Sequence, residues 1–166
     1  MPKVRWTNAK KIDRLLSHKN KTILKKKIPI LLLFVSCNST SSSIERWNAA
    51  CAQGAQTYAP NAVYFSSLLQ YVRENSPKLN LNQRKELIAE ITKKQDEMTD
   101  KTIEIIRQTS EELVRRGTDY LDAQLWRELM ETSYYLAIKY AVDKPNGSEL
   151  TYKRLIEDEC RLGRKK

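Results

Sequence analysis

The chain has 166 residues, of which 40% are hydrophobic and 30% charged, with four glycines and five prolines. This balance argues against a disordered chain and against a turn-rich β-sandwich. The formal net charge of +10 belongs to the N-terminus, because residues 1–36 hold ten Lys/Arg and one acid, whereas residues 37–166 hold 20 and 19. A nearly neutral body gives no reason to expect nucleic-acid binding.

The first 36 residues have the order of a secretory signal. Residues 19–27, KNKTILKKK, are strongly cationic, and residues 28–36, IPILLLFVS, are uncharged and almost entirely apolar. As a helix this apolar run would be about 14 Å long, too short for a hydrocarbon core of about 30 Å. Ser36 is the small residue before the expected processing point. The alternative is that residues 28–36 form a buried core segment and that Cys37 is an ordinary apolar cysteine.

The run Leu33-Phe34-Val35-Ser36-Cys37 resembles the lipobox of bacterial lipoprotein precursors. The resemblance covers the leader and none of the body. It implies that the Cys37 thiol is acylated with diacylglycerol and that the leader 1–36 is then cut off. Residues 37–43 would be a short lipidated tether, and two or three acyl chains would hold it stably on a membrane. In many Gram-negative members of that family sorting depends on the next residue, so Asn38 implies the outer membrane, with the body in the periplasm.

The body, residues 44–166, has the spacing of an all-α protein. Hydrophobic residues recur every three or four positions, and no alternating run typical of a strand is present. Ser42 and Glu45 are spaced as a capping box ahead of the first helix, which is expected to end before Pro60. The predicted fold is a small helical bundle of about five helices with one long helix pair. In chain order the helices are expected at 44–58, 61–74, 82–116, 119–142 and 148–163.

The third predicted helix is long and polar, and Asn82 and Gly117 are expected to mark its ends. Its apolar stripe is close to a heptad seam, but three of the eight positions are polar. A dimeric coiled coil prefers apolar residues there, so we predict an antiparallel helical pair within one chain. The stripe consists of Ile88, Ile91, Gln95, Met98, Thr102, Ile105, Thr109 and Leu113.

Cys51 and Cys160 are the other cysteines of the body. After export they would meet an oxidising periplasm, and a disulfide between them would join the first helix to the last. Closing a loop of about 100 residues stabilises a fold by up to about 4.7 kcal/mol in the chain-entropy model. The alternative is that both are buried free thiols that pack as small apolar residues.

No catalytic, metal-binding or cofactor-binding set is recognisable in the body. The only histidine, His18, lies in the leader, which excludes Ser-His-Asp and Cys-His catalysis and His-ligated zinc from a mature chain that has lost it. No Gly-rich phosphate loop is present. We therefore expect neither an enzyme nor a bound metal or cofactor.

Trp126, Tyr134 and Tyr135 are the candidate interaction anchors. Tyr134 and Tyr135 are neighbours on one predicted helix, so their side chains point about 100° apart. One is expected to pack in the core while the other faces water or a partner. The alternative for these aromatic residues is simple core packing.

Together these features predict a membrane-anchored lipoprotein that acts through protein–protein contacts in the bacterial envelope. It would be an accessory subunit of a secretion or conjugation apparatus, or an immunity or exclusion lipoprotein. The alternative is a cytoplasmic helical protein whose basic N-terminal arm binds nucleic acid or an anionic membrane. Whether residues 1–36 survive in the mature chain distinguishes the two.

Overall fold

The computed structural model describes residues 42–163. Over these residues the chain forms four α-helices and no strand, so the fold is the all-α bundle that the apolar spacing predicts. The leader 1–36 and Cys37 lie outside the described residues. The helices are α1 (Ser43–Asn75), α2 (Leu81–Arg115), α3 (Tyr120–Asp143) and α4 (Glu149–Leu162), with a 3-10 turn at Ser76–Lys78.

Helix α1 runs continuously through Pro60, so the prediction of two separate helices here is wrong. Pro60 has no N–H to bond to the carbonyl of Gln56, which weakens a helix interior. Small and aromatic side chains on both sides of it are nevertheless buried in the same core, and this packing outweighs the local preference. These side chains are Tyr58, Ala59, Ala62 and Phe65.

Local hydrogen bonds set the helix ends. Helix α2 begins at Leu81 rather than at Asn82, because the Asn80 side chain accepts from the Gln83 N–H at 3.0 Å and the Gln83 side chain accepts from the Asn80 N–H at 3.1 Å. At its other end Gly117 takes a positive φ of 93°, as predicted for a helix C-terminus. The N-caps of α1, α3 and α4 are Ser42, Asp119 and Ser148, and Ser42 forms the predicted capping box with Glu45.

Helices α1 and α3 run parallel and approach closely at Gly54. A Cβ at Gly54 would stand 2.6 Å from the Cβ of Ser133, so only glycine allows the two helices to come this near. Ser133 is buried, and its hydroxyl donates to the Cys160 sulfur of α4 at 3.9 Å. The three helices therefore meet at one junction, formed by Gly54, Ser133 and Cys160.

Helix α2 packs antiparallel on α3, as predicted for a pair within one chain. The Ser110 hydroxyl donates to the Ala123 carbonyl at 3.0 Å near one end of the contact. The hydroxyls of Thr99 and Tyr134 lie 3.1 Å apart further along. In this register the first part of α2 passes beyond Asp143, where α3 ends.

The predicted seam of α2 is therefore wrong in two places. Ile105 is largely exposed, because its neighbour Ile106 is the side chain that enters the core. Ile88 is exposed because it lies in the part of α2 that passes beyond the end of α3. The residues of α2 that are buried are Ile106, Ser110 and Leu113.

Cys51 and Cys160 form a disulfide, the first of the two predicted alternatives. Their Cα atoms are 5.7 Å apart, and the bond spans 109 residues of sequence. Both residues are buried. The bond joins α1 to α4, which runs antiparallel to it, and so closes the bundle from its first helix to its last.

We predict that the double substitution Cys51→Ala/Cys160→Ala lowers the free energy of unfolding by about 2–5 kcal/mol. Urea denaturation followed by circular dichroism measures the change. Reductant is the control, because it should shift the midpoint of the wild type towards that of the variant and leave the variant itself unchanged. Equal midpoints for the oxidised wild type and the variant would contradict the prediction.

Candidate interaction surface

An aromatic cluster lies between α1 and α3 and reaches the surface at Tyr135. The ring centroid of the buried Tyr134 lies 5.4 Å from that of Tyr58 and 6.4 Å from that of Phe65, both in edge contacts that the charge distribution of aromatic rings favours. The Tyr135 ring adjoins Tyr134 at 5.9 Å, yet Tyr135 is 54% exposed. The two neighbours thus divide between core and solvent, as their angular separation predicts.

The buried tyrosines of this cluster are structural. Thr99 donates its hydroxyl proton to the Gln95 carbonyl at 2.9 Å, so Tyr134 is the donor in its bond to Thr99. Burial raises the pKa of Tyr134. Burial, followed by the nearby Tyr134 and Glu131, also raises the pKa of Tyr58. Both phenols therefore remain neutral at physiological pH and act through packing and hydrogen bonding.

Trp126 is a core residue, so it does not present an interaction anchor at the surface. It is buried, and its indole N–H donates to the Gln53 side chain of α1 at 3.1 Å. Tyr134 is buried as well. Of the three anchors proposed from the sequence, the structure therefore leaves Tyr135 available to a partner.

A polar cluster joins α3 to α4 on another side of the bundle. The Lys139 ammonium donates to both carboxylate oxygens of Glu159, at 2.9 and 3.1 Å, and the Tyr140 hydroxyl donates to the same carboxylate. Burial, with the bond to Glu159 second, raises the pKa of Tyr140 to about 12. These groups pair with one another, so we interpret the cluster as a link between two helices.

The described residues bring together no metal-binding set: no three His, Cys, Asp or Glu side chains in residues 42–163 are arranged to hold an ion. None of the helices over this range is long and apolar enough to cross a bilayer.

The apolar face of α2 continues past the part of the bundle that covers it. At 100° per residue, Leu81, Ile88, Thr99 and Ile106 lie within about 20° of one another around the helix. Thr99 contacts α3 and Ile106 is buried, whereas Leu81 and Ile88 are exposed. We call Leu81 and Ile88 the open α2 face. The apolar spacing predicts Ile88 in a covered seam, because spacing shows which residues share a face and not where the neighbouring helix ends.

We predict that alanine substitutions at the two neighbouring tyrosines have different effects on the free energy of unfolding, because Tyr134 is buried and Tyr135 is exposed. Tyr134→Ala should lower the free energy of unfolding by about 3–5 kcal/mol, since it empties the centre of the cluster. Tyr135→Ala should change it by about 0.5 kcal/mol or less, because its side chain is largely solvated. Urea denaturation of both variants measures the contrast, and similar losses at the two positions would contradict this division.

Comparison of the chain with protein-family models, with curated proteins and with solved structures finds no match. The candidate contact sites are accordingly chosen by exposure, and they are Tyr135 and the open α2 face.

Proposed function

We propose that this chain is the precursor of a lipid-anchored protein of the bacterial envelope, and that its helical body acts by binding other proteins. The observation that carries the proposal is the order of features at the N-terminus: a cationic stretch, residues 28–36 as a short apolar run, and then Cys37. In a lipoprotein precursor that order directs export and presents the cysteine for acylation. Asn38 favours the outer membrane as the destination, with the body in the periplasm.

The disulfide supports export independently of the leader. Structural disulfides persist in oxidising compartments and are rare in the cytosol, where thiols are kept reduced. The Cys51–Cys160 bond depends on how α1 packs against α4, whereas the leader is a pattern of consecutive residues. Two unrelated parts of the chain thus favour the same compartment. A cytoplasmic protein with a basic arm, the alternative function, gives no account of the bond.

The body supports a binding role through its surface. Its charge is nearly balanced, which argues against recognition of phosphates. Exposed aromatic and aliphatic side chains are typical of protein contact sites, and Tyr135 and the open α2 face are of this kind. We propose that the partner is another envelope protein. The body would serve as an accessory subunit of a secretion or conjugation assembly, or as an immunity or exclusion lipoprotein that blocks an incoming protein.

The anchor is tested by the intact mass of the wild type and of Cys37→Ala, each purified from bacterial membranes. We expect the wild type to have lost residues 1–36 and gained the mass of its acyl chains. Cys37→Ala should keep the leader, because the enzymes that process such precursors act on the cysteine.

Retention of residues 1–36 without lipid in both proteins would overturn the lipoprotein proposal. The basic arm would then be tested against nucleic acid and anionic vesicles, with the salt dependence of binding as the readout.

The binding role is tested by a photo-crosslinking amino acid placed at single positions on α2 and α3 in living cells. We expect position-specific adducts from Ile88, on the open α2 face, and from Tyr135. Lys93 is the matched control, since it is exposed on the same helix about 140° around the axis from Ile88. Adducts of equal strength from Ile88 and Lys93, or none from Ile88 and Tyr135, would contradict a partner at these two sites.

A further inference from the structure

We propose that the bundle rests on the surface of its anchoring membrane through the end at which α1 begins. This inference depends on the proposed lipid anchor at Cys37. Four helix termini meet at this end: the starts of α1 and α3 and the ends of α2 and α4. Arg46 of α1 pairs with Asp122 of α3 there, and Cys51 joins Cys160 of α4 one turn deeper. We call these terminal turns the tether end.

The tether end exposes large apolar side chains from all four helices. Ile44 and Leu121 are exposed because they lie in terminal turns that no neighbouring helix covers. Tyr120 adds an aromatic ring with a hydroxyl group to the aliphatic side chains. Over residues 42–163, the exposed large hydrophobic side chains in these turns are Ile44, Val114, Tyr120, Leu121 and Leu162.

Four arginines lie in the same terminal turns. Each is exposed and pairs with a carboxylate, with Arg115 and Arg116 sharing that of Glu112, so most of their positive charge is offset. Arginine can lay its aliphatic stem along an apolar surface while its guanidinium reaches lipid phosphates, and tyrosine favours the same interfacial depth. This mixture suits the boundary between headgroups and acyl chains. The arginines are Arg46, Arg115, Arg116 and Arg161.

The tether from Cys37 to the start of α1 is short, so the anchoring membrane is what would cover the tether end. Six peptide units separate Cys37 from Ser43, where α1 begins, and a chain of that length reaches at most roughly 20 Å. Acyl chains on Cys37 would lie within the bilayer, so the terminal turns would be held close to the headgroups. Apolar side chains at that distance are stabilised by leaving water for the interface.

The same orientation presents the other end of the bundle to partners. Helix α1 has 33 residues and is about 50 Å long at 1.5 Å per residue. Its far end leads through the 3-10 turn to Leu81, at the start of the open α2 face. A tether end on the bilayer would therefore direct the open α2 face away from the membrane.

The test uses matched leucines at the two ends, each replaced by a cysteine that carries an environment-sensitive fluorophore. Leu121 (71% exposed) is matched with Leu81 (67%), and Leu162 (56%) with Leu150 (58%). Each acylated protein is reconstituted into vesicles of phosphatidylethanolamine and phosphatidylglycerol that contain a lipid with a quencher near its headgroup. The native disulfide leaves Cys51 and Cys160 unlabelled.

We expect Leu121→Cys and Leu162→Cys to show blue-shifted emission that the lipid quencher suppresses. Leu81→Cys and Leu150→Cys should keep the emission of a label in water. Equal quenching at both ends, or stronger quenching at Leu81 or Leu150, would overturn the proposed orientation. Circular dichroism of each labelled protein verifies that the bundle is folded.

Intact mass separates failure of this inference from failure of the anchor. Acylated protein with equal quenching at both ends would refute the orientation and leave the anchor intact. Protein without acyl mass would refute the anchor and, with it, the orientation that rests on the anchor.

Discussion

The arrangement of the bundle depends on the close approach of α1 to α3 at Gly54. Because a side chain there would collide with Ser133, the glycine determines how near the two helices can lie. Ser133 in turn contacts Cys160, and Cys51 lies one turn before Gly54, so α4 is fixed to the same junction by a covalent bond. The parallel course of α1 and α3 and the antiparallel course of α4 bring three termini to the tether end.

Helix α2 buries fewer of its residues than α1 or α3 does. It packs on α3 through Thr99, Ile106 and Ser110, while its first turns continue past the end of α3. A helix of 35 residues against one of 24 must overhang, and the overhang is what leaves Leu81 and Ile88 exposed. The lengths and directions of the helices thus produce both proposed contact surfaces. These are the tether end, for the membrane, and the open α2 face, for a partner protein.

Titratable side chains of the described residues are engaged in packing and in pairing with one another. The tyrosines whose pKa is raised, among them Tyr58, Tyr134 and Tyr140, are neutral donors or packing groups in the interior or between helices. Charged side chains pair along helix surfaces or across neighbouring helices. The proposed binding role rests on the distribution of exposed apolar side chains, and the proposed lipid anchor would give that distribution a direction.

The sequence by itself determined the all-α class, the capping box at Ser42 and the helix end at Gly117, because these features depend on residues a few positions apart. It also showed that Tyr134 and Tyr135 must face different ways. The passage of α1 through Pro60, the burial of Trp126 and the exposure of Leu121 were decided by the tertiary structure alone. Each of these three features depends on whether a neighbouring helix covers that position. Local residue spacing does not predict where the neighbouring helices end or cross.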